Sequence, residues 1–114
     1  MKDALFPEAT PDLIKRREAL APAAAQAFRA FGRAVFREGA LSRKHKQIVA
    51  VAVAHVTQCP YCIRGHTEAA SRAGATYEEL MEAIWVAAEM RAGAAFAHSL
   101  IALEGLHEEQ TDDT

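Results

Sequence analysis

Ile48-Val49-Ala50-Val51-Ala52-Val53-Ala54-His55-Val56 is the stretch on which the fold turns. It alternates β-branched with small residues, a pattern that suits a buried strand as well as an apolar helix. After Thr57 come Gln58-Cys59-Pro60-Tyr61-Cys62, and a strand leading into CPYC and a helix would imitate a thioredoxin fold. That fold needs several more strands and a proline in a loop facing the cysteines. The prolines here are Pro7, Pro11, Pro22 and Pro60, with none downstream of the motif. No other stretch has strand character, and a single strand cannot satisfy its own ladder hydrogen bonds. The stretch therefore reads as helix, and the chain as all-α.

Working outward, Ser42 is the expected cap of this helix, which runs to about Thr57 and stops because the residue before Pro60 avoids the α region. A second helix should run from Pro60 to Ala73, with Gly74 as its stop. Thr76-Tyr77-Glu78-Glu79 is a capping box opening a helix through Leu80, Ile84, Ala87 and Ala88. A break is expected near Arg91 to Gly93, followed by a last helix from about Ala94 to Leu106. Upstream, Thr10-Pro11-Asp12 starts a helix reaching Leu20, and Pro22 opens another. In that one Phe28, Phe31, Val35 and Phe36 recur at helical spacing, as core residues, until Gly39.

The chain has 114 residues, 51% hydrophobic and 25% charged, with 26 alanines against 6 glycines and 4 prolines. This is one domain's worth of sequence, over 1–114, with its core at about 41–103 and frayed ends at 1–9 and 107–114. A net charge of -2 without a basic block argues against nucleic acid. No apolar run approaches the roughly 20 residues of a membrane span, and the amino terminus has no signal-type apolar region, so a soluble cytoplasmic protein is expected. A half-apolar chain this short, with alanine-rich helix faces, is expected to bury surplus surface between subunits as a homo-oligomer.

With Pro60 in the first helical turn, Cys59 is at the cap, Cys62 one turn in and His66 a turn beyond on the same face. A helix start favours a thiolate, and a histidine four residues on can take its proton. The CxxC pair therefore points to redox chemistry by nucleophilic attack and disulfide closure. Zinc is the alternative: Cys59, Cys62 and His66 supply three ligands, with His55 or His98 to complete four. His98, among Phe96, Ala97 and Leu100, reads first as a packed residue, and His45 and His107 as surface residues. Tyr61 could donate to the site or shield it, and Trp85 and Met90 read as core or subunit contacts. No flavin, haem or nicotinamide signature is present, so no cofactor is expected.

LSRKHKQIVAVAVAHVTQCPYCIRGHTEAASRAGATYEEL, residues 41–80, with its C-x2-C-x3-H run at Cys59, Cys62 and His66, resembles the alkylhydroperoxidase D and carboxymuconolactone decarboxylase superfamily. The resemblance spans roughly Leu41 to Leu103. It implies a compact all-α domain, a trimer or hexamer, and a thiol-dependent peroxidase. Cys62 would attack the hydroperoxide, Cys59 would resolve it, and His66 would take part in a proton relay. An external dithiol, lipoyl-type or thioredoxin-like, would reduce the pair. In the peroxidase branch a glutamate lies twelve residues before the first cysteine; here that position is Gln47. An amide can position an imidazole but cannot shuttle a proton near neutral pH. His55, eight residues after Gln47 on the same helix face, is then either a substitute base or a hydrogen-bonded core histidine. Two other readings stand beside the peroxidase: a lactone decarboxylase-like lyase that needs no cysteine pair, and a non-catalytic oligomeric metal-binding module.

Overall fold

A computed structural model describes residues 5–112, with side chains described through Leu106. Five helices follow one another: α1 Pro11–Leu20, α2 Pro22–Val35, α3 Arg43–Thr57, α4 Pro60–Arg72 and α5 Tyr77–Asp112. No strand occurs among the described residues. The ambiguous stretch lies inside α3, and its burial has helical period. Val51 and Ala54 are buried and Ile48 packs beside them, whereas Val49 and Val53, which would share a strand face with Val51, are half exposed.

The helix ends follow from local chemistry. Thr10 Oγ1 accepts from Leu13 N–H at 3.3 Å, and Ser42 Oγ from His45 N–H at 3.1 Å. At the start of α5, Thr76 and Glu79 bond reciprocally, with Glu79 N–H to Thr76 Oγ1 at 3.1 Å and Thr76 N–H to Glu79 Oε1 at 2.9 Å. Gly74, at φ 101°, takes the left-handed conformation that ends α4. Gly74 N–H then reaches Ser71 O and Ala75 N–H reaches Ala70 O, at 3.0 and 2.9 Å, satisfying two carbonyls of the last turn.

Two expectations are corrected. First, α2 ends at Val35 rather than Gly39, because Lys46 reaches over from α3 and its Nζ donates to Val35 O at 2.8 Å and Arg37 O at 2.5 Å. Second, there is no break at Arg91 to Gly93: α5 continues for 36 residues, past Leu106. A single glycine costs a helix only about 1 kcal/mol, too little to interrupt an alanine-rich run without proline. Arg91 also anchors the first half of α5 by donating from Nη1 to Val56 O at 2.7 Å. Toward the two ends of the chain, α5 reaches Asp112 and Tyr61 donates to Pro7 O. Residues 1–4 and 113–114 lie outside the described residues.

The core is small. Val51, Ala70 and Leu80, joined by Ile48, Ala75 and Ile84, bring together α3, α4 and the first turns of α5. Helices α1 and α2 pack on each other and form a separate arm. Phe28 and Phe31, expected as core, are exposed on α2, because α2 has no apolar face opposite it within the protomer. The second half of α5 is bare too, with Phe96 at 82% and Leu100 at 71% exposure. His98, between them, is also exposed rather than packed. The radius of gyration is 20.3 Å; a compact chain of this length would have about 13 Å.

Candidate functional site

The site is built where α3 stops and α4 starts. Gln58 takes the left-handed conformation, φ 59° and ψ 49°, and Cys59 N–H returns to Ala54 O at 3.2 Å, closing α3. Cys59 is extended, φ -106° and ψ 102°, as the residue before a proline must be, and Pro60 opens α4. Cys59 is the N-cap: its Sγ accepts from Cys62 N–H at 3.2 Å. The two cysteines are joined as a disulfide across a Cα separation of 5.2 Å. Both are partly buried.

One turn beyond Cys62, His66 leaves α4 toward α3, and its Nδ1 lies 2.7 Å from Gln47 Oε1. The amide oxygen can only accept, so Nδ1 carries the proton and the Nε2 lone pair of the neutral ring remains available as a base. Phe36, just past α2, stacks on the His66 ring with centroids 5.0 Å apart and planes 24° apart. Together these contacts hold the imidazole in one orientation. Cys62, His66 and Phe36 line a pocket of about 450 Å³ whose other walls are apolar, including Leu41, Val49 and Val53, except for Lys46. Such a pocket excludes water from a thiol without taking the thiol away from an apolar ligand.

The structure thus brings Cys59, Cys62, His66 and Gln47 together. It does not bring His55 to them: His55 faces a different hollow, with Gln58, Pro60, Ile63 and Arg64, and its Nδ1 donates to Val51 O at 2.8 Å. Among the described residues no three potential metal-ligating side chains converge. His45 is exposed, its Nδ1 2.7 Å from Ser42 Oγ, and the His107 side chain lies outside the described residues. Trp85 and Met90 are exposed on α5, away from the pocket walls.

Two contributors escape a reading of the sequence alone, and a third, Tyr61, acts on a partner that the sequence did not indicate. Phe36 looks like one of a helical row of core aromatics, and only the early end of α2 frees it to stack on His66. Lys46, beside Gln47 in sequence, looks like a surface lysine but fixes that end. Tyr61, between the cysteines, donates from its hydroxyl to Pro7 O at 2.6 Å, and Phe6 meets its ring edge-on, so the amino-terminal segment ties down the motif. No local signal announces a contact over 54 positions.

The model of the carboxymuconolactone decarboxylase family matches residues 22–105. A Paracoccus denitrificans protein known as protein 4 of the cox locus is 63% identical over 82 residues, covering 72% of this chain and 74% of that protein. The crystal structure of a carboxymuconolactone decarboxylase family protein from Legionella pneumophila superposes with a TM-score of 0.67 at 31% identity, covering 85% of this chain and 87% of that one. A Thermotoga maritima family protein, for which a part in the antioxidative response has been suggested, superposes with a TM-score of 0.53 at 28% identity, covering 71% and 93%.

Proposed function

The chain belongs to the carboxymuconolactone decarboxylase family, and from that premise we propose that it is a thiol-dependent hydroperoxidase working through the Cys59–Cys62 pair. The observation that carries the reading is the placement of Cys62 and His66 on one apolar pocket, with Cys59 at the helix start behind them. In the reduced protein His66 takes the Cys62 proton. The Cys62 thiolate attacks the distal peroxide oxygen, the O–O bond breaks, and the proton passes to the departing alkoxide, giving an alcohol and a Cys62 sulfenic acid. Cys59 then attacks the Cys62 sulfur, water leaves, and the disulfide forms. The Cys62 N–H that points at Cys59 Sγ favours the Cys59 thiolate. This suits Cys59 as resolving nucleophile and as leaving group when an external dithiol, lipoyl-type or thioredoxin-like, reduces the pair.

The same proposal includes a homo-oligomer, a trimer or hexamer, supported by the bare apolar faces of α2 and α5. It also includes a cytoplasmic location, where dithiol reductants are at hand. Among the described residues no helix is long and apolar enough to cross a membrane. Titrating free thiols after stoichiometric hydroperoxide tests the mechanism. Wild type should lose two thiols, Cys59→Ser should lose one and accumulate a sulfenic acid, and Cys62→Ser should lose none at the wild-type rate. Rapid oxidation of Cys62→Ser would reverse the roles. Lyase activity that survives both substitutions would displace the reading.

A further inference from the structure

Phe36, which lines the apolar pocket, also lines a second hollow, of about 370 Å³, together with Arg33, Arg37, Arg43 and Gln47. Three arginines line it, from the last turn of α2, the connecting segment and the first turn of α3, and all three are exposed. None of them pairs with a carboxylate among the described residues, where the ion pairs are Arg29 with Glu18 and Lys44 with Glu79. Glu38 accepts from the Arg43 backbone N–H at 2.8 Å and does not line the hollow. Residue 47, the wall shared with the His66 hydrogen bond, is a neutral amide and supplies no internal counter-charge. Like charges lining one hollow repel one another, and a carboxylate can answer two guanidiniums with paired hydrogen bonds.

We propose that this hollow is an anion subsite that receives the carboxylate of an apolar acid whose chain crosses Phe36 into the pocket of Cys62 and His66. The site then takes an amphiphile, head on Arg33, Arg37 and Arg43, tail against Leu41, Val49 and Val53. This rests on the hydroperoxidase reading for the identity of the reacting group, which is either a hydroperoxide on the chain of the acid or the dithiol of a free lipoyl-type acid. The carboxylate is common to both.

The test separates binding from chemistry. Calorimetric titration of the oxidised full chain with octanoate, against octanamide as its uncharged match, should show octanoate tighter by about tenfold or more, since hydrogen bonds to charged groups are the stronger kind. The preference should vanish in the double variant Arg37→Gln/Arg43→Gln, with octanamide binding as the check that the pocket is intact. It should also fall in Gln47→Glu, which leaves every arginine in place and offers them an internal carboxylate. Equal binding of the two probes by wild type overturns the proposal. So does an octanoate preference that survives the arginine substitutions, or arginine variants that change the oligomeric mass while the preference stays. Octanoate preference without any hydroperoxide turnover would sink the hydroperoxidase reading and leave the anion subsite standing. With turnover, comparing a hydroperoxy acid with its methyl ester, and dihydrolipoate with dihydrolipoamide, assigns the carboxylate to the oxidising or the reducing half-reaction by the one whose preference the arginine variant loses.

Discussion

Gln47→Glu is the substitution that tests the proton relay most directly. Gln47 Oε1 accepts from His66 Nδ1 at 2.7 Å in a partly buried setting. A neutral hydrogen bond there contributes about 1 kcal/mol, and one to an ionised partner about 1.5–3 kcal/mol. The difference favours the imidazolium by about 1.4 kcal/mol, tenfold in an equilibrium. The reactive form carries a thiolate on Cys62 and the proton on His66, so its population relative to the thiol–imidazole form rises by about tenfold. Near neutrality, hydroperoxide reduction should quicken by about tenfold, and toward a hundredfold if the carboxylate also shuttles protons. The assay is single-turnover loss of thiols in the reduced protein as a function of pH, with cumene hydroperoxide, whose lack of charge keeps the arginine hollow out of the measurement. Gln47→Ala should slow the reaction, because it leaves Nδ1–H without its acceptor. If the glutamate and alanine variants both react like wild type, the His66–Gln47 relay is wrong. A loss on His55→Gln instead would move the relay to the hollow that His55 lines with Gln58, Pro60, Ile63 and Arg64.

Light scattering at micromolar concentration should return three or six times the protomer mass of 12.4 kDa. Phe96→Glu/Leu100→Glu should shift it to the protomer, since two large apolar side chains contribute about 2 kcal/mol each when buried; a wild-type monomer refutes the assembly. Gln58 sits at φ 59°, where a side chain costs about 1 kcal/mol. Gln58→Gly should raise the urea midpoint slightly and Gln58→Val lower it, and the reverse order would refute the strain. Glu79 is held below its ordinary value of 4.5 by the Thr76 backbone N–H first and then by Lys44. Its folded form is the more acidic, so its contribution is fully present above pH 4.5 and is lost as pH falls through the lowered value. Thr76→Ala should cost about 1 kcal/mol by the loss of a cap, and Glu79→Gln should flatten the acid limb of the stability curve. An unchanged acid limb counts against this account.

Local rules predicted most of the helix ends: Thr10, Ser42, Gly74 and Thr76 act through bonds to residues within five positions, so their signals lie in short stretches of sequence. The CxxC-to-His66 geometry was legible for the same reason, being one face of one helix. What the sequence concealed is set by tertiary contact. Gly39 looks like a stop, but Lys46 ends α2 earlier from another helix. Gly93 looks like a break, but its intrinsic cost is smaller than the continuity of the alanines around it. Gln47 and His55 are on one side of α3 by spacing, yet α4 passes so that His66 meets the first and Pro60 and Ile63 flank the second. The Phe36 stack and the arginine hollow depend on how the arm of α1 and α2 lies against α3, which no periodicity encodes.

The smallness of the buried cluster has a thermodynamic consequence. Val51, Ala70 and Leu80 with their three partners are few side chains to set against the ordering entropy of a chain of this length. Where the native state is a multimer and the unfolded state a single chain, mass action couples the two transitions. The melting temperature then climbs with protein concentration, and dilution acts as a denaturant. Below its dissociation constant the chain would lose helix and the shape of its active pocket together, so specific activity at nanomolar concentrations would report quaternary structure as much as thiol chemistry.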